Sequence, residues 1–144
     1  MKKLITCFMI LVFVVLVQAQ FKFEVTQEFK KGEGEITIMG KDIDDVWMAL
    51  ARTLFRLKCK VVEKDEDFGL VIAERTKKKD IYDDEGKVIS TEEYVSDRWE
   101  IMIEEVDDEV IVTCSYSGEG AGFWGSKKKS FKEFCEKFKN ILGR

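Results

Sequence analysis

The sequence predicts an α+β domain. One antiparallel sheet of about five strands carries two helices on one face, in the order β-α-β-β-β-β-α. Three observations lead there. Apolar residues recur at helical spacing in two separate segments, residues 43–57 and 131–142. Between them, Trp99, Ile101 and Ile103, then Val112, Cys114 and Tyr116, alternate as strands do. No repeat or linker interrupts residues 34–144, which are therefore expected to form a single α+β domain.

Residues 1–19 precede that domain as a secretory signal peptide. Lys2 and Lys3 lead an apolar run from Leu4 to Val17, and Val17 and Ala19 supply the small residues of a cleavage site. The run is well short of the roughly 20 residues that span a bilayer, so cleavage is preferred over an uncleaved anchor. Lipid attachment needs a cysteine directly after such a run. Cys7 lies near its front and leaves with the peptide. Residues 20–33 are polar and mixed, and read as an extended N-terminal arm.

The first strand is GEITIMG, residues 34–40. A helix follows, with Ile43, Val46, Trp47, Leu50, Leu54 and Leu57 on one face. Trp47 is expected in the core. Asp42 is placed to cap the free amides, and Asp44 and Asp45 suit the positive end of the helix. Residues 59–76 read as two strands around an acidic turn that ends at Phe68 and Gly69. The second of them continues into a long ribbon that turns at Asp84, Glu85 and Gly86. The ribbon is polar on both faces, which leaves its register weakly specified.

The next hairpin has a register that can be checked. A turn centred on Asp107 and Asp108 sets Trp99 opposite Tyr116, Ile101 opposite Cys114 and Ile103 opposite Val112. Both apolar sets then share a face, and Arg98, Glu100, Glu104, Thr113 and Ser115 take the other. The final helix, residues 130–144, carries Phe131, Phe134, Cys135, Phe138, Ile141 and Leu142 as a stripe. Ser130 and Glu133 have the spacing of a capping box, and Gly143 suits the end.

Residues 44–75 resemble the helix-grip domains of the C-subunit lipoprotein of the bacterial outer-membrane β-barrel assembly machine. Trp47, Ala49, Leu50, Arg52, Val62, Asp65 and Gly69 carry the likeness. Small exported domains of TATA-binding-protein-like topology look similar. Unlike that lipoprotein, this chain has no lipid-site cysteine and one domain in place of two. The resemblance implies an exported, non-enzymatic accessory domain.

Composition narrows the chemistry. Hydrophobic residues make up 45% and charged residues 36%, the balance of a folded domain. The net charge is −4, and removal of Lys2 and Lys3 makes it more negative, which opposes nucleic acid and anionic lipid. The chain has no histidine, the commonest general base and metal ligand. A cysteine nucleophile lacks an activating partner, and the carboxylates fall on exposed turns where nothing raises a pKa. The sequence therefore predicts no enzyme. The turns at Asp65–Asp67, Asp83–Glu85 and Asp107–Glu109 lack the glycine and terminal glutamate of a calcium loop, so no metal is expected.

The stretch GEGAGFWGSKKKS, residues 118–130, is the one candidate binding loop. Gly120 and Gly125 have the gap of a phosphate loop, but Ser126 stands where lysine must follow. The strand before it is antiparallel, so nucleotide is excluded. Phe123 and Trp124 either anchor a partner or fold over the sheet end. Lys127, Lys128 and Lys129 either hold an anion at the helix start or are solvated. Lys77, Lys78 and Lys79 pair with Asp83, Asp84 and Glu85 across the ribbon. Cys59, Cys114 and Cys135 are either three buried thiols or include a Cys114–Cys135 bridge.

These readings combine into an exported soluble interaction module, periplasmic or extracellular, that binds another envelope or secreted protein. It uses no cofactor, nucleic acid or nucleotide, and has no stable membrane anchor after cleavage. The alternative is a carrier of a small apolar ligand between helices and sheet, lined by Trp47, Trp99, Tyr116 and Phe138.

Overall fold

The computed structural model describes residues 23–118 and 124–144, the side chains of residues 124–126 excepted. Its elements are β1 (Glu24–Lys30), β2 (Glu33–Met39), α1 (Ile43–Arg56), β3 (Lys60–Asp65), β4 (Leu70–Tyr82), β5 (Val88–Val106), β6 (Glu109–Gly118) and α2 (Trp124–Leu142). The strands form one sheet in the order β1-β2-β6-β5-β4-β3, every neighbour antiparallel. Residues 1–19, the expected signal peptide, lie outside the described residues.

The sheet has six strands rather than about five. The extra one is β1, inside the segment read as an extended arm. It pairs with β2 from Glu24 opposite Met39 to Lys30 opposite Glu33. Lys31 (φ 52°) and Gly32 (φ 80°) close that hairpin in the left-handed geometry a two-residue turn requires. Only Val25 and Phe29 of β1 lean on the core, too few to show as an alternation. Phe29 meets the Phe131 ring with centroids 5.8 Å apart. Gly34 makes room for that ring, because a Cβ there would fall 2.1 Å from it.

The expected β5–β6 register is present. Trp99 stands opposite Tyr116, Ile101 opposite Cys114 and Ile103 opposite Val112. Val106 and Glu109 close the pair across Asp107 and Asp108. Both helices cover this apolar face. Phe134 and Phe138 are fully buried, as are Leu50, Ile36 and Ile101 to within 1%. Burying such a side chain contributes about 1.5–3 kcal/mol. The opposite face carries Arg98, bonded to Glu74 (2.5 Å) and Glu100 (3.1 Å).

Three helical details differ from expectation. The core stripe of α1 is Val46, Ala49, Leu50, Thr53 and Leu54, and Trp47 lies half-buried at its rim under the Lys64 ammonium, 5.2 Å from the ring centroid. Asp42 sits at the N-cap, but its side chain caps nothing. Helix α2 begins at Trp124, so Ser130 and Glu133 lie inside it and form no capping box. Its apolar stripe is buried as the sequence predicts. The Gly143 N–H donates to the Lys139 carbonyl at 3.0 Å.

Candidate functional site

The long ribbon leaves the sheet at the end where β5 meets Gly118 of β6, the first residue of the glycine-rich stretch. Asp97 pairs with Gly118 on one side and with Arg75 on the other. Beyond that line, among the described strands, the backbone of residues 76–95 pairs only with itself. Two register shifts interrupt the ribbon, at Arg75/Thr76 and at Ile81/Tyr82. At its tip, Asp83 Oδ1 accepts the N–H groups of Glu85 (3.0 Å) and Lys87 (2.8 Å), and Gly86 supplies the left-handed residue (φ 79°).

A buried polar cluster forms the base of the ribbon. Asp97 is 6% exposed. Its carboxylate accepts hydrogen bonds from Arg75 Nε at 2.6 Å, Ser96 Oγ at 2.8 Å and the Tyr116 hydroxyl. The Arg75 guanidinium completes an ion pair at 2.5 Å. Ser96 Oγ also lies 3.0 Å from the Arg75 carbonyl, tying the shifted register together. Burial by itself raises the Asp97 pKa. The bonds from Tyr116, Ser96 and Arg75, with the adjacent positive charge, outweigh it and hold the carboxyl below the ordinary value. Tyr116 moves the other way: burial and its bond to a carboxylate push the phenol up.

Gly118, the first residue of the glycine-rich loop, belongs to this cluster. A Cβ on it would lie 2.6 Å from the Tyr116 hydroxyl and 2.7 Å from the Ser96 carbonyl. Its role is close approach to the network, not the cradling of phosphate.

The cluster was not among the sequence candidates, although its signal is present. Val71 and Ala73 point inward on β4, and Trp99 and Ile101 do so on β5. Arg75 and Asp97 are in phase with these residues, so each strand carries one inward charge just past its apolar positions. The pairing of Arg75 with Asp97 makes the two charges meet.

The predicted site residues separate. Phe123 lies outside the described residues. Trp124 opens α2, and its side chain lies outside the description too. Lys127, Lys128 and Lys129 do not precede the last helix but lie within its opening turns, Lys128 and Lys129 exposed. Lys78 and Lys79 stand opposite Glu93 and Glu92, not opposite the tip acids. Lys77 stands opposite Tyr94. Cys59, Cys114 and Cys135 are free thiols, so no Cys114–Cys135 bridge is formed, and Cys59 is only half-buried. Burial pushes the Cys135 thiol up to about 12 and Cys114 well above its ordinary value.

Three of the four residues assigned to a carrier cavity fill that space with their own rings, and Trp47 stands apart from them, half-buried beside a depression of about 160 Å³. Trp99 lies 4.8 Å from Tyr116 and 5.0 Å from Phe134, which stacks on Phe138 at 5.9 Å. A cleft of about 60 Å³ remains beside Asp97 and Tyr116. No group of metal-binding side chains occurs among the described residues. No described helix is long and apolar enough to cross a membrane. A scan against protein-family models finds no match, and a search of curated proteins finds none either.

Proposed function

We propose that this chain is an exported, soluble, non-enzymatic module that binds another envelope or secreted protein, with the β4–β5 ribbon as its principal contact element. The observation that carries this is the ribbon's pairing: among the described strands, residues 76–95 form backbone pairs only with each other and leave a strand edge on either side. Such edges accept a further strand, main-chain bonds supplying affinity and side chains specificity. Tyr82, Val88, Ile89 and Val95 are 59%, 45%, 64% and 49% exposed on it, and give apolar contact area to a partner. The Asp97 cluster anchors the ribbon, so the edge is presented on a rigid base. Phe123 and Trp124 follow β6 closely in sequence, past that same sheet end, and we assign them to the same contact. Lys127, Lys128 and Lys129 lie close behind in sequence and supply positive charge for an acidic stretch of the partner.

Export rests on the leader pattern of residues 1–19 and on the resemblance of residues 44–75 to exported accessory domains. The ring packing between α2 and the sheet favours this reading over the carrier. A photoreactive side chain at Ile89, introduced in the native host, tests it. One defined adduct is the expected outcome. Absence of any adduct from Ile89 and from Tyr82 would reject the ribbon as the contact. Recovery of the uncleaved precursor in the cytoplasm would reject export.

A further inference from the structure

We propose that the outward face of α1 is a self-association surface, on which a second copy of this chain docks helix to helix across a two-fold axis near Ala51. The inference goes beyond the ribbon reading and stands whether or not the ribbon binds a partner.

The core claims only one face of α1. Its opposite face carries a second apolar series, Met48, Ala51 and Phe55, at steps of three and four. All three are exposed, Met48 by 53% and Phe55 by 81%. Phe55 is the most exposed large apolar side chain among the described residues. One such residue alone is ordinary on a protein surface. A series along one helix face is the pattern by which helices recognise helices.

The same face is complementary to itself when reversed. Its shape provides a knob and a hollow. Phe55 projects at one end, and beside Met48 a depression of about 270 Å³ is lined by Ile141 and Leu142 from the end of α2. The two features lie seven residues apart, about 10 Å along the axis. Antiparallel docking of two α1 helices puts each Phe55 ring into the other copy's hollow, with the small Ala51 where the backbones approach most closely.

The charges agree with the shape. Asp44 and Asp45 occupy the first turn of α1, and Arg52 and Arg56 its last two turns. None of these four forms an ion pair among the described residues. Reversal brings Asp45 of each copy toward the other's Arg56, two complementary pairs around the axis. A parallel arrangement would set Arg52 and Arg56 against their own counterparts and is disfavoured. An isologous contact of this kind closes at two copies. An anionic membrane is a poorer occupant, because Asp44 and Asp45 would have to approach it with the arginines.

The test is the mass of the purified mature protein in solution, by sedimentation velocity or light scattering over a wide concentration range. The expected result is a species of two chains that dissociates on dilution. Phe55→Ser should weaken it by ~10-fold or more, since it removes the central apolar anchor. Asp45→Arg and Arg56→Glu should each weaken it, and the double charge exchange should restore it. Far-ultraviolet circular dichroism confirms that each variant is folded. A single-chain mass at every concentration overturns the proposal. So does a dimer indifferent to Phe55→Ser, a double exchange that fails to restore association, or a dimer lost on removal of ribbon residues 77–94. Binding to phosphatidylglycerol vesicles that depends on Phe55, with a single-chain mass in solution, assigns the face to lipid and also overturns it.

Discussion

Asp97→Ala removes the acceptor on which the base of the ribbon depends. Three donors lose their partner: Arg75 Nε, Ser96 Oγ and the Tyr116 hydroxyl. They do not suffer equally. Arg75 keeps a side chain that is 39% exposed and can rehydrate. Ser96 retains the Arg75 carbonyl as an acceptor at 3.0 Å. Tyr116, 8% exposed, loses its carboxylate acceptor and keeps only its contact with Ser130. An unsatisfied buried group costs about 1–3 kcal/mol, and a charge-assisted bond contributes about 1.5–3. The expected loss is therefore about 2–4 kcal/mol, a large share of the ~5–15 kcal/mol that holds such a domain folded. Urea titration followed by tryptophan fluorescence measures it, because Trp99 sits 4.8 Å from Tyr116.

The loss must also depend on pH with a definite sign. The Asp97 carboxyl is held below its ordinary value of 3.8 in the folded protein. A group depressed on folding stabilises fully above its unfolded value and loses that contribution as pH falls through the folded one. The gap between native protein and Asp97→Asn is therefore wide at neutral pH and closes as pH falls through 4 and below. A loss under about 0.5 kcal/mol in Asp97→Ala would refute the assignment of a buried network. A gap that stays constant or widens on acidification would refute the assignment of charge.

Other outcomes follow from the same geometry. Gly118→Ala forces a methyl against the Ser96 carbonyl, so it should destabilise by about 1–3 kcal/mol in the same titration. Phe134→Ala should cost about 3–5 kcal/mol, since the side chain is fully buried among Trp99 and Phe138. Ellman's reagent should modify Cys59 in the folded protein and reach Cys114 and Cys135 only after denaturation, because burial protects both and raises their pKa. Replacement of residues 77–94 by a short turn should leave the urea midpoint nearly unchanged, because among the described strands residues 76–95 pair only with each other, beyond the buried cluster at Asp97.

What could be read from the chain alone follows from periodicity. Steps of three and four marked both helical stripes, and steps of two marked the inward positions of β5 and β6 down to the register of each pair. These are local properties: an apolar residue out of phase would face water, and one sheet slipped by a residue would turn its whole core outward. Gly69 could be placed at a turn for the same reason, and its φ of 68° agrees.

The tertiary structure decided the rest, because the deciding interactions join residues far apart in sequence. β1 exists because β2 offers it an edge and Phe131 a ring, and nothing in its own polar composition requires a strand. Trp47 stands at the rim since the sheet under α1 centres on Leu50 and Leu54. The Lys78 and Lys79 partners were set by strand pairing, which put Glu92 and Glu93 nearer than the tip acids. Most of all, Arg75, Asp97, Tyr116 and Gly118 form one buried network only because three strands run side by side. Alone, Arg75 and Asp97 read as ordinary surface charges, Tyr116 as one more residue of an apolar stripe, and Gly118 as a loop glycine. A charge is withdrawn from water only where opposing charge and hydrogen bonds replace its hydration, and that replacement is a property of the assembled sheet.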